Sequence, residues 1–255
     1  MSQVELKIDE GIAVISVSRP EALNALNREI VDDMDVLIEQ VSKDSSVRCL
    51  ILHSDKNFAA GADIKAMAVC DEEGAKAFAF SPTYNKITAL GVPVIAAIEG
   101  YALGGGMELA MTADIRIAGE SAKMGFPEVT LGIFPGAGGT IRVPKVIGEA
   151  FAKELIFTGD AVSAERALQM GLVNRVVKDE DVLDEAMKLA KRIARRGPVA
   201  LRMVKDVINR GLMEPDVNKG VDIEAEQWAK LFNTEDQKEG MKAFMEKRKP
   251  VFKNK

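Results

Sequence analysis

At 255 residues, with 47% hydrophobic and 29% charged side chains, the chain has material for one large domain, or one domain and a small appendage. A net charge of -5 argues against a general nucleic-acid binder, which carries a basic field, yet leaves room for a phosphorylated ligand. The single histidine, His53, excludes a multi-histidine zinc site, and Cys49 and Cys70 offer neither a disulfide framework nor a CxxC pair, so no metal is expected and a reducing cytoplasm fits.

The stretch from Met1 to Lys7 is polar and has no apolar run of the secretory kind. Nothing approaches the ~20 apolar residues of a membrane-crossing helix, so no membrane association is expected. Gly11–Val17 reads as a strand. Asn27 is an N-cap for a helix to about Val41, because Ile30, Met34, Leu37, Ile38 and Val41 recur at helical spacing. Strand 47–53 follows, then a glycine-containing loop and a helix from about Asp63. Strand 93–98, loop 99–104, a helix from about Gly105 and strand 114–118 repeat the theme. Val94-Ile95-Ala96-Ala97-Ile98 is apolar without alternation, the pattern of a strand buried on both faces, and the fold class is α/β. Ser163 caps a further helix that Gly171 closes before strand 172–177. Beyond about Leu183 strand signals stop. Pro198 suits the first turn of a helix with Leu201, Val204 and Ile208 on one face. Val221, Ala225, Trp228 and Phe232 form a second stripe, and Thr234 with Gln237 forms a capping-box pattern. Residues 1–195 are expected to form the core unit and 196–255 a helical appendage that docks on other subunits.

Gly104-Gly105-Gly106 before a helix offers bare backbone amides where helix-end N–H groups and the dipole favour negative charge. The same glycines also suit a tight turn with close helix-on-strand packing. Glu108 reads equally as a reacting carboxylate or as a first-turn acid. Phe58-Ala59-Ala60-Gly61-Ala62-Asp63 follows strand 47–53 just as the Gly104 loop follows strand 93–98, so two amides from neighbouring strands can converge on one carbonyl oxygen. Asp63 reads as a helix-start acid. Glu128, after Pro127, sits in a rigid loop, and solvation is its plain alternative. Gly136, Gly138 and Gly139 alone are ordinary turn residues. His53 reads as a core-edge histidine. Lys247-Arg248-Lys249 is a solvated helix end or a phosphate contact. Met67, Phe78, Phe80 and Tyr84 lie in a stretch of weak periodicity that either lines a pocket or belongs to the core.

In order and spacing, Arg19-Pro20-Glu21-Ala22-Leu23-Asn24-Ala25-Leu26, Phe58 to Lys65, Pro93 to Gly119, Gly125 to Arg142, Phe157-Thr158-Gly159, Asn233 to Asp236 with Glu239-Gly240-Met241, and Phe244 to Arg248 resemble the enoyl-CoA hydratase/isomerase (crotonase) superfamily. The resemblance implies an α/β, crotonase-like spiral of repeated ββα units followed by a C-terminal helical trimerisation region, in trimers or hexamers. It implies an acyl-coenzyme A thioester as substrate partner, with coenzyme A part of that substrate and no separate cofactor.

By resemblance, the Ala62 and Gly105 amides hold the thioester oxygen, Glu108 activates water for attack at C3, and Glu128 supplies the proton to C2. Coenzyme A would meet the backbone near Ala22 and Ala60, with Phe244 and Lys247 approaching its adenosine phosphate end, often from a neighbouring subunit. Members that only shift a double bond commonly lack an acid at the Glu108 position, so the pair favours hydration of a 2-enoyl-CoA, in fatty-acid or related degradation. A 3-enoyl-CoA isomerase of the same fold is the alternative, and a non-catalytic binding relative a remote one. Two departures stand out. Glu21 occupies a place that is basic in many hydratases, and Phe126 one that is often glutamine.

Overall fold

A computed structural model describes residues 2–255, which leaves Met1, the first residue of the polar N-terminal stretch, outside the described residues. Strand β1 (Val4–Asp9) pairs antiparallel with β2 (Ile12–Val17) across a turn at Glu10 and Gly11, both at positive φ. The polar reading of the N-terminus missed β1, although Val4, Leu6 and Ile8 alternate with charged residues as a half-buried strand requires. Helix α1 (Arg28–Lys43) starts where Asn27 caps it, the Ile30 N–H donating to Asn27 Oδ1 at 2.9 Å. Its Ile30, Met34, Ile38 and Val41 are buried, so the expected stripe faces the core.

Strand β3 (Cys49–His53) leads through three short helices, α2 (Ile64–Met67), α3 (Glu72–Phe78) and α4 (Ser81–Ala89), to β4 (Val94–Ile98). Then come β5 (Tyr101–Leu103), α5 (Gly105–Ala110), β6 (Ile115–Gly119), β7 (Lys123–Gly125) and α6 (Gly139–Thr158), which breaks at Gly148. Strand β8 (Ala161–Ser163), α7 (Ala164–Met170), β9 (Arg175–Val177) and α8 (Val182–Ala194) complete this part. The 99–104 segment, expected as loop, thus contains β5. The strand expected at 172–177 begins only at Arg175, because Leu172 and Val173 are still returning amides to the Ala167 carbonyl at the end of α7.

Six strands form one sheet in the order β1-β2-β3-β4-β6-β9, parallel from β2 onward; β5-β7-β8 form a second, smaller sheet. Two strand–strand–helix units, β4-β5-α5 and β6-β7-α6, send their first strand to the large sheet and their second to the small one, whereas β1 and β2 before α1 both join the large sheet. All five residues of β4 are buried. One face of the large sheet packs on α1 and on the loops that follow β3 and β4. The other packs Ile12, Cys49, Ile51, Ile95 and Ile117 against Val182, Ala186, Leu189 and Ala190 of α8. Each buried Ile, Leu or Val among them contributes about 1.5–3 kcal/mol by leaving water, so the large sheet is a rigid base.

Helices α9 (Pro198–Gly211), α10 (Val217–Leu231) and α11 (Glu235–Met245) close the chain. Lys205 ties α9 to the sheet, its ammonium 2.9 Å from Asp114 Oδ2 and 3.0 Å from the Val92 carbonyl. The predicted stripes on α9 and α10 stay largely exposed: Val204, Ile208, Val221, Trp228 and Phe232 are 40–61% accessible. At Thr234 only half of the capping box forms. Its hydroxyl accepts from the Gln237 N–H at 3.1 Å, but the Thr234 N–H already donates to the Leu231 carbonyl of the preceding turn.

Candidate active site

The two small-residue loops follow β3 and β4, which are hydrogen-bonded neighbours, so both loops emerge at the same edge. The first is fixed on both sides. Ala59 N–H donates to the Tyr101 carbonyl at 2.9 Å and Leu103 N–H to the Ala59 carbonyl at 3.0 Å, while Leu26 N–H donates to Gly61 and Asp63 N–H to Leu26. Asp63 then caps α2, accepting from Lys65 and Ala66, and pairs with Arg19 at 2.9 Å. It is a helix-start acid, as read from the sequence.

Each glycine of the triplet has a separate task. Gly104 holds φ +49 and passes so close to Glu128 that a Cβ there would lie 2.9 Å from Oε1. Gly106 presses against the Ala59 carbonyl, which any side chain would overlap. Between them Gly105 opens α5, and Ala62 N lies 3.6 Å from the point where its Cβ would sit. Among the described residues neither the Ala62 nor the Gly105 N–H donates to a protein acceptor. Two free, adjacent, preoriented amides suit an oxygen that gains negative charge. Tyr84 braces the same point from below, its buried hydroxyl donating to the Gly105 carbonyl at 2.8 Å.

Glu108 lies one turn into α5 and is 3% exposed. Its Oε1 accepts from the Ala137 N–H (2.7 Å) and the Gly139 N–H (2.8 Å), the latter at the start of α6, where the helix dipole favours a negative group. Burial raises its pKa; those two amides and the Arg142 charge pull it back. Among the described residues Oε2 has no hydrogen-bond partner. Glu128 sits in the short 3-10 turn Pro127–Leu131, and its Oε2 is buried without any partner. Burial pushes its pKa up to about 7; its own backbone N–H opposes this, and the charge of nearby Glu108 adds to it. Two carboxyl groups in one pocket with unlike surroundings can exchange protons in opposite directions.

Phe126 is fully buried, and a Cβ added at Gly139 would lie 3.1 Å from its ring edge and 3.0 Å from Glu108 Oε1, so the departure from glutamine lies near Glu108 as well as beside Glu128. Glu21 is exposed and lies 3.7 Å from Arg19. The Ala22 and Ala60 segments meet through the Ala60 N–H, which donates to the Leu23 carbonyl, and buried Asn24 holds this loop by donating to the Asn57 carbonyl at 2.6 Å. Phe244, 86% exposed, and Lys247 stand at the end of α11 and bond to neither loop among the described residues. Arg248 is engaged by Glu239 at 2.6 and 2.8 Å. His53 ends β3 with Nε2 3.1 Å from Glu99 Oε1, a core-edge histidine.

The sequence reading missed the hold of the Ala137 and Gly139 amides on Glu108, together with Arg142, and left Tyr84 as pocket lining or core, where it is buried core that braces Gly105. A usable signal was present for the first three: a glycine pair opening an apolar 139–147 helix, whose N-terminus seeks an anion. Among the described residues no cluster of three or more His, Cys, Asp or Glu side chains could hold a metal, and no helix is long and apolar enough to cross a membrane.

A mixed sheet wound from ββα units, with two loop amides facing a carboxylate pair, defines an acyl-thioester enzyme of the crotonase fold. The family model described as Enoyl-CoA hydratase/isomerase matches residues 7–255, and the chain belongs to that family. It is 44% identical to the Crotonyl-CoA hydratase of Syntrophomonas wolfei over 97% of this chain and 96% of that protein. It is 42% identical to the Short-chain-enoyl-CoA hydratase of Clostridium acetobutylicum over 100% of this chain and 99% of the other. The crystal structure of Enoyl-CoA Hydratase from Bacillus anthracis superposes with a TM-score of 0.96 at 37% identity, covering 99% of this chain and all 100% of that one.

Proposed function

We propose that this protein is an enoyl-CoA hydratase, a hydro-lyase that adds water reversibly and syn across a 2-enoyl-CoA to give a 3-hydroxyacyl-CoA. The observation that carries the reading is the buried Glu108–Glu128 pair beside the free Ala62 and Gly105 amides. Ionised Glu108, gripped through Oε1, uses Oε2 to take a proton from water as the oxygen attacks C3. The electron pair of the C2–C3 double bond moves onto the thioester oxygen, where the two amides meet the developing enolate. Glu128 then delivers its proton to C2. The pair gives one proton and gains one, so each turnover leaves the same number of protons on the enzyme.

The coenzyme A portion of the substrate runs past Ala22 and Ala60, and Phe244 and Lys247 reach it from a neighbouring subunit. The exposed apolar stripes of α9 and α10 support association as a homotrimer or a dimer of trimers. No cofactor is required beyond the substrate's own coenzyme A, and a cytoplasmic role in fatty-acid β-oxidation fits the small number of cysteines. Comparing crotonyl-CoA with a 3-enoyl-CoA of equal length tests the reaction class. The expected kcat/KM favours the 2-enoyl ester by at least ~10²-fold, because double-bond migration needs one acid–base group and leaves Glu108 unused. A preference for the 3-enoyl ester would replace hydration with isomerisation.

A further inference from the structure

Arg142, on the first turn of α6, donates through Nη1 to the Ala137 carbonyl at 2.8 Å and through Nη2 to Asn85 Oδ1 at 2.7 Å. The Ala137 carbonyl belongs to the peptide between the two amides that hold Glu108. Turning that carbonyl toward Arg142 turns the flanking Ala137 and Gly139 N–H groups the opposite way, onto Oε1. Asn85 is exposed on α4, next to Tyr84, whose hydroxyl donates to the Gly105 carbonyl. One short helix therefore braces both halves of the site: the oxyanion amide through Tyr84 and the Glu108 cradle through Asn85 and Arg142.

We propose that Arg142 is a positioning residue for Glu108: it fixes the Ala137–Gly138 peptide from Asn85 and keeps the carboxylate gripped and ionised. This rests on the hydratase reading, in which Glu108 is the base. The charged and titratable groups that face Glu108 are Tyr84 from α4, Glu128 from the 127–131 turn and Arg142 from α6, and of these only Arg142 favours the ionised form. Its removal therefore raises the pH at which Glu108 loses its charge.

The test is the pH profile of kcat/KM for crotonyl-CoA hydration in three variants. Arg142→Met is expected to lower kcat about 10- to 100-fold with KM little changed, as a small misplacement of a reacting group does. Its acid limb should move up by about one unit. Arg142→Lys keeps the charge without the planar fork, so its limb should stay within about 0.3 unit of the unmodified protein while kcat recovers only in part. Asn85→Ala, at an exposed helical position that does not endanger folding, should lower kcat about 2- to 5-fold with the limb in place, since it frees one side of the guanidinium, at a bond open to water, and keeps the charge. An unmoved acid limb in Arg142→Met, or an unchanged kcat in Asn85→Ala, overturns the proposal. An inactive unmodified protein would instead defeat the hydratase reading, and this inference with it; an active one with an unmoved limb defeats this inference alone.

Discussion

Glu108 rides on the first turns of α5, where two backbone amides converge on one of its oxygens and a guanidinium faces it at the start of α6. Glu128 comes from a 3-10 turn, and its buried Oε2 meets no donor at all. Both are carboxylates with more or less equal pKa in water. The first environment replaces part of the lost hydration with two amide dipoles and a guanidinium and so tolerates the ion better; the second returns only Glu128's own backbone N–H, which favours the neutral acid. The proposed roles follow from that contrast: the solvated-by-protein carboxylate takes a proton, and the unsolvated one gives it.

The strongest test removes each carboxylate in turn while keeping its shape. Glu108→Gln and Glu128→Gln should each lower kcat for crotonyl-CoA hydration by ~10²–10⁴, with affinity for a CoA ester retained. Near-normal turnover in either variant would falsify the contrast. A subtler substitution disturbs one partner only. Gly104→Ala places a methyl 2.9 Å from Glu128 Oε1 at a φ of +49, and should cut kcat ~10- to 100-fold by displacing the acid; equal loss of CoA-ester binding would point to collapse of the loop instead. The smallest effect needs no substitution. The active form carries one proton on the pair, so hydration and dehydration should share one bell-shaped kcat/KM profile. Its basic limb should lie at about 7, where Glu128 loses its proton, with activity lost as pH rises through that value. A limb at an ordinary carboxylate pKa would show that Glu128 is better solvated than its burial implies.

Local chemistry made much of this legible before any coordinates. Asn27, Asp63, Ser163 and Thr234 each accept the N–H two or three residues on, as short polar side chains at helix starts do. The apolar runs at 49–53 and 94–98 are buried on both faces. Glu108 and Glu128 drew attention through their flanking glycines and proline. What escaped the reading depends on distant partners. Strands β5, β7 and β8 have three residues each, too few for a period to register, and exist because they pair with one another. The 136–139 segment looked like a turn; its glycine pair signalled a helix start that seeks an anion, but nothing nearby in sequence named Glu108, some 30 positions earlier, as the anion that the Ala137 and Gly139 amides hold. Tyr84 and Asn85 sit on a helix of weak periodicity, and their meaning comes from Gly105 and Arg142.

In the proposed mechanism the electrophilic half of the site is main chain and the proton-handling half side chains. Gly106 against Ala59 locks α5 onto the Ala62 loop, so the two amides form one unit that no ordinary side-chain replacement at 62 deletes. In the proposed reading, exchanging the side chains at 108 and 128 leaves this pair of amides in place, so the proton chemistry can change without rebuilding the pocket.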